Sequence, residues 1–183
     1  MDKETPVHSR EISIHISTID DDTMLAEGTL RDNRKLPSYS TAGRRFIEPG
    51  DIHHIVVRLY VSVAENVVVR AEADMVKVPG GETCHAIKDS VKNLIGISVL
   101  RGFAKKVLEI MGGVKGCLHM TNLVIAMGSA IVQAEYYRVE ESSHDMEAPE
   151  INTSLLKNSC WLWREDGPQM ENVRKAEKGN DIQ

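Results

Sequence analysis

The chain has 183 residues, 42% hydrophobic and 27% charged, enough for one domain with its own core, and at 4% aromatic that core must rest on Val, Ile, Leu, Met and Ala. A formal net charge of -5, with basic residues dispersed in pairs such as Arg44-Arg45 and Lys105-Lys106, argues against a nucleic-acid partner, which needs a clustered basic footprint. No apolar run reaches the roughly 20 residues of a membrane span, the polar start Met1-Asp2-Lys3-Glu4 is no signal peptide, and three distant cysteines make no disulfide framework, so a cytoplasmic protein without membrane contact is expected.

Residues 1–9 read as a flexible N-terminus. Ile12, Ile14 and Ile16 then alternate with Ser13, His15 and Ser17, the pattern of a half-buried strand. Asp20-Asp21-Asp22 breaks it, and Met24 to Leu30 returns as a second strand. Asp32 to Gly50, with Pro37, Gly43 and Pro49, reads as a long loop. His54 to Val63 alternates cleanly and pairs with Val67, Val69, Ala71 and Ala73 across the turn Ala64-Glu65-Asn66.

After Pro79-Gly80-Gly81 the period changes. The spacing predicts helices over Cys84–Leu94, Ser98–Met111 and Cys117–Val139, the second closed by Gly112-Gly113. Strands first and helices after give an α+β fold: an antiparallel sheet of two hairpins with about three helices on one face. A single domain over 10–165 and a polar, disordered tail over 166–183 are expected.

Chemistry concentrates in Gly112-Gly113-Val114-Lys115-Gly116-Cys117-Leu118-His119. A cysteine at a helix start faces unpaired N–H groups and the positive end of the helix dipole, which favour thiolate, and Lys115 stands close by. Cys84 opens the preceding helix, and His53 sits where the long loop enters the central hairpin. These junctions fall at one end of the expected fold. Thiolate and imidazole together suit zinc, iron or an iron–sulfur cluster, yet a buried cysteine also serves as a small hydrophobe. His8, His15 and His144 read as surface or satisfied histidines, and Cys160, between Asn158 and Trp161, as part of a packing segment or a further ligand.

The chain resembles the bacterial family DUF2889 over residues 10–165. The resemblance is carried by Ile52-His53, Val56-Val57-Arg58-Leu59, Pro79 with Cys84, Leu94-Ile95-Gly96, Gly102-Phe103, Gly112-Gly113, Gly116-Cys117-Leu118-His119 and Asn158-Ser159-Cys160. It implies no activity, and it implies that Cys84, Cys117 and His119, with His53 and Cys160, belong together. The order of parts is also similar to NifU-type iron–sulfur scaffold proteins, with His53 in place of a cysteine and Cys-Leu-His in place of His-Cys.

Three readings follow. The first is a metal-binding scaffold or accessory protein with zinc, iron or an iron–sulfur cluster on Cys84, Cys117, His119 and His53. The second is an enzyme with Cys117 as nucleophile and His119 or His53 as base, acting on a small activated substrate; because residues two apart on a regular helix face apart, His119 serves it only if the turn is irregular. The third is an interaction module without metal. A partner protein or a second copy of the chain fits any of them.

Overall fold

The computed structural model describes residues 4–40, 43–141 and 156–180. It divides into two compact units, Met1–Glu135 and Tyr136–Gln183. The first is an α+β fold. Strands β1 (His8–Thr18), β2 (Thr23–Arg34), β5 (Gly50–Ser62) and β6 (Val67–Lys77) form a four-stranded antiparallel sheet in the order β1-β2-β5-β6. Between β2 and β5, β3 (Ser38–Ser40) and β4 (Arg45–Ile47) pair as a small separate hairpin. The expected loop over 32–50 thus carries structure: strand pairing continues to Arg34, and Tyr39 packs edge-on against Phe46 at 5.2 Å.

Alternation explains the sheet. Met24, Ala26 and Leu30 on β2 and Ile55, Val57, Leu59 and Val61 on β5 are buried on one face. The other face stays open, where Arg58 bridges Glu27 and Asp74. On β6 the expected phase fails. A bulge leaves Val69 without an opposite residue, since Tyr60 faces Arg70 and Val61 faces Val68; Val68 is therefore buried and Val69 exposed.

The helices lie on the buried face. The segment expected as one helix over Cys84–Leu94 is a short α1 (Glu82–His85) followed by a 3-10 helix, Lys88–Leu94, that buries Val91 and Leu94. Helix α2 (Phe103–Met111) starts later than its spacing predicts, because Gly102 holds a left-handed conformation. Helix α3 (Leu118–Glu141) places Leu123 and Met127 over Gly28 of β2, and Gly128 over the Phe103 ring.

In the second unit α4 (Pro168–Asn180) occupies most of the segment expected as a disordered tail. Pro168 at its first position suits a helix start, and a Glu171–Lys175 pair at 2.7 Å supports one face. Cys160 and Trp161 are exposed there, with Arg164 over the Trp161 ring at 4.2 Å.

The α2–α3 approach is tight enough to test. A Cβ on Gly128 would lie 2.3 Å from a Phe103 ring carbon, far inside contact distance. Gly128→Ala is expected to destabilise the fold by about 1–3 kcal/mol despite its gain in helix propensity, as measured by urea denaturation.

Candidate functional site

Asp32 continues the buried phase of β2, one alternation beyond Leu30, and is itself 1% exposed. A buried carboxylate must be paired and hydrogen-bonded. Arg10, its partner on β1, donates from Nε at 2.7 Å to Oδ1 and from Nη2 at 2.8 Å to Oδ2. The Arg10 guanidinium holds the Asp32 carboxyl down at about 2, so it is ionised at neutral pH.

Three imidazoles gather round the same carboxylate. His53, opposite Asp32 on β5, places Nδ1 at 3.1 Å from Oδ2; His119, in the first turn of α3, places Nε2 at 3.4 Å from Oδ2; and His8 lies 3.5 Å from Oδ1. A bulge at Ile52 lies beside His53 and is the kind of irregularity that re-aims a strand end. The His53 and His119 rings stack with centroids 3.6 Å apart. Burial lowers the affinity of both for a proton, the neighbouring imidazole adding to this at His119.

The carboxylate fixes the tautomers. An ionised carboxylate only accepts, so the nitrogen facing it carries the proton, Nδ1 on His53 and Nε2 on His119. The lone pair of His119 is then on Nδ1, and the Cys117 Sγ lies 3.8 Å from that atom. Cys117 precedes the helix: its carbonyl accepts the first α3 hydrogen bond, from Thr121 N at 2.8 Å, which makes it the N-cap. The turn is therefore irregular, and residues two apart in sequence meet over the helix end.

The approach to Cys117 is built for close fit. A Cβ on Gly116 would lie 2.4 Å from the Met111 carbonyl oxygen, and the buried Thr121 hydroxyl donates to that same oxygen at 2.8 Å. Lys115 is turned away from the role expected of it. Its Nζ donates to the Glu109 carbonyl at 2.8 Å and closes the end of α2. Val114 and Leu118, on either side of the thiol in sequence, are exposed.

The structure brings His53, His119 and Cys117 into one chain of contacts through Asp32. Among the described residues, the group that brings three potential ligand atoms within 4.8 Å is Asp32, His53 and His119, and neither Cys84 nor Cys117 belongs to it. Cys84 is half-buried against the core, at the turn of Gly80. Cys160 belongs to the second unit, its thiol pKa lowered by the backbone N–H groups of Trp163 and Leu162. His15 is exposed, and His144 lies outside the described residues. Asp32 and Arg10 were not singled out from the sequence, and His8, read there as a surface or satisfied histidine, meets Asp32 at 3.5 Å. Their signal was phase: Arg10 and His8 continue the Ile12, Ile14, Ile16 alternation, and Asp32 continues that of Met24 to Leu30.

The chain matches the family model DUF2889, described as a protein of unknown function, over residues 8–133, and so belongs to that family. The match takes in Arg10, Asp32, His53, Cys117 and His119. No curated protein and no solved structure matches. Among the described residues no helix is long and apolar enough to cross a membrane.

The depressed Asp32 pKa makes stability pH-dependent. A carboxyl titrating at about 2 when folded, against 3.8 when unfolded, stabilises the fold fully above pH 4 and loses that contribution as pH falls toward 2. The expected loss is about 2 kcal/mol, read from denaturation curves at stepped pH. Asp32→Asn is expected to remove this dependence. His53 and His119, whose folded pKa values lie below 6.5, add a separate loss that begins as pH falls below that value.

Proposed function

We propose that the protein is a cysteine-dependent enzyme of the acyl-transfer or hydrolase class. Cys117 is the nucleophile, His119 the general base, and Asp32 the carboxylate that orients and polarises the imidazole. The observation that carries this reading is the ordered sequence of contacts from Cys117 Sγ to His119 Nδ1 at 3.8 Å and from His119 Nε2 to Asp32 at 3.4 Å. Nucleophile, base and orienting acid in that order are what activates a thiol.

In the proposed step the Cys117 proton passes to His119 Nδ1 as sulfur attacks a carbonyl carbon. The carbon–sulfur bond forms and the carbonyl oxygen takes the displaced electron pair. The leaving group then departs with the proton from His119, and a thioester remains on Cys117 for water or a second acceptor to cleave. The first intrahelical bond of α3 is donated by Thr121, so the N–H groups of Leu118, His119 and Met120 precede the helical ladder. They are the donors available to an oxyanion there. His53, stacked on His119, fixes the plane of the base.

A second reading is favoured by one observation, the gathering of Asp32, His53 and His119. Two histidines and a carboxylate suit zinc or iron, and this form of the metal-binding reading uses His53 and His119 without Cys84. Two features weigh against it. Imidazoles sharing a tetrahedral zinc at Zn–N distances of about 2.1 Å keep their centroids roughly 5 Å apart, so the stacked pair would have to open. Asp32 also already spends both oxygens on Arg10, whose charge opposes a cation.

Alkylation separates the two. In a Cys160→Ser background, which removes the exposed thiol, iodoacetamide at pH 7 is expected to label Cys117 ahead of Cys84 by peptide mapping. His119→Gln is expected to slow that labelling at least tenfold, with the circular dichroism spectrum retained. Equal rates with and without His119 would overturn the thiol reading. Near-stoichiometric zinc or iron in the purified protein, lost on His53→Ala and His119→Ala, would establish the metal in its place.

A further inference from the structure

Arg34, the last residue of β2, lies two positions beyond Asp32 on the same face of the sheet, and its partner across the ladder is His8. Strand geometry sets it about 7 Å from Asp32 along β2. Its Nη1 is buried and has no hydrogen-bonding partner among the described residues. Among the described residues no carboxylate forms an ion pair with it.

A buried guanidinium nitrogen without an acceptor is unfavourable, and native proteins leave few such groups. The neighbouring charges do not resolve it. Arg10 and Asp32 compensate each other through their two hydrogen bonds. His53 and His119 are biased toward the neutral form by burial. His8, with its Nε2 against Asp32, supplies no anion. Among the described residues Arg34 is therefore a cation without a paired anion on the face that carries the candidate site, and a guanidinium fork suits a carboxylate or phosphate.

We infer that Arg34 is the substrate-recognition residue of this site, binding an anionic group, carboxylate or phosphate, of the molecule that reacts at Cys117. The inference takes its chemistry from the thiol reading, and it assigns a substrate class: small anionic acyl compounds in preference to neutral ones.

A pair of probes that differ in one charge tests it. Iodoacetate and iodoacetamide both alkylate a thiol: the carbon–sulfur bond forms, the carbon–iodine bond breaks, iodide leaves and the thiol proton passes to the base. The ratio of the iodoacetate rate to the iodoacetamide rate at Cys117 is expected to fall about tenfold in Arg34→Gln, the worth of one charge-assisted hydrogen bond. Arg34→Lys is expected to keep part of the preference, and Arg31→Gln, an exposed position on the opposite face, to leave the ratio as it is. A ratio unmoved by Arg34→Gln overturns the inference while leaving the thiol reading intact.

Should Cys117 prove unreactive, that result overturns the thiol reading, and a second measurement reads Arg34 by itself. Inorganic phosphate and acetate, added separately at matched ionic strength, are expected to raise Tm in the unmodified protein and not in Arg34→Gln. The anion that gives the larger rise identifies the group recognised. The same response in both proteins would end the proposal.

Discussion

One buried carboxylate organises the end of the sheet on which the candidate chemistry stands. Asp32 loses nearly all of its solvent contact and keeps its charge, a combination that is strongly unfavourable unless partners replace the water. Those partners come from three other elements: Arg10 on β1, His53 on β5 and His119 on α3. The ion pair therefore fixes the register of β1 against β2, and it gives α3 a polar contact at the end where its apolar face begins. Deleting Arg10 would leave the Asp32 charge buried without its counter-charge, whereas Arg10 itself keeps its contact with solvent.

That geometry extends outward from Asp32 to the thiol. Thr121 links the end of α2 to the start of α3 by holding the Met111 carbonyl with its hydroxyl and the Cys117 carbonyl with its N–H. Gly116 admits the close approach this requires. Cys117 is thus held at the N-cap between two anchored points, while His119, one step into the helix, is oriented by the carboxylate below it. On the proposed reading, a thiol set by backbone hydrogen bonds and an imidazole set by a buried charge would need little reorganisation to react.

Much of the fold was legible because burial writes a period into the chain. The two hairpins, the helical second half and the long third helix follow from alternation and from threes and fours. The departures came where backbone geometry broke the period: the Val69 bulge on β6 and the left-handed Gly102 that delays α2. The glycine-rich turn, Cys117, His119 and His53 were legible as chemistry-bearing residues at element junctions. Asp32 was obscured because its local sequence, Asp-Asn-Arg-Lys-Leu-Pro, has the composition of a loop, and without it Arg10 had no visible partner. Composition outweighed phase in that stretch, and phase held the information: a charged residue on the apolar side of each of two adjacent strands is a buried ion pair waiting to be matched.

The charge balance of this cluster bears on which chemistry it supports. A carboxylate that is to ligate a metal leaves its oxygens toward the ion and takes its counter-charge from it. Here the counter-charge is the guanidinium of Arg10, fixed by the fold, and the remaining acceptor capacity of Asp32 is directed at imidazole nitrogens. Under that arrangement the carboxylate sets tautomers, and the reactive lone pair of His119 is displaced to the side of the ring where sulfur lies. With Asp32 already paired, the next charge along β2 is Arg34, whose Nη1 meets no hydrogen-bond acceptor among the described residues. On the proposed reading the ion pair that closes the sheet end would separate two roles on one strand face, orientation of the imidazole at Asp32 and attraction of an anion at Arg34.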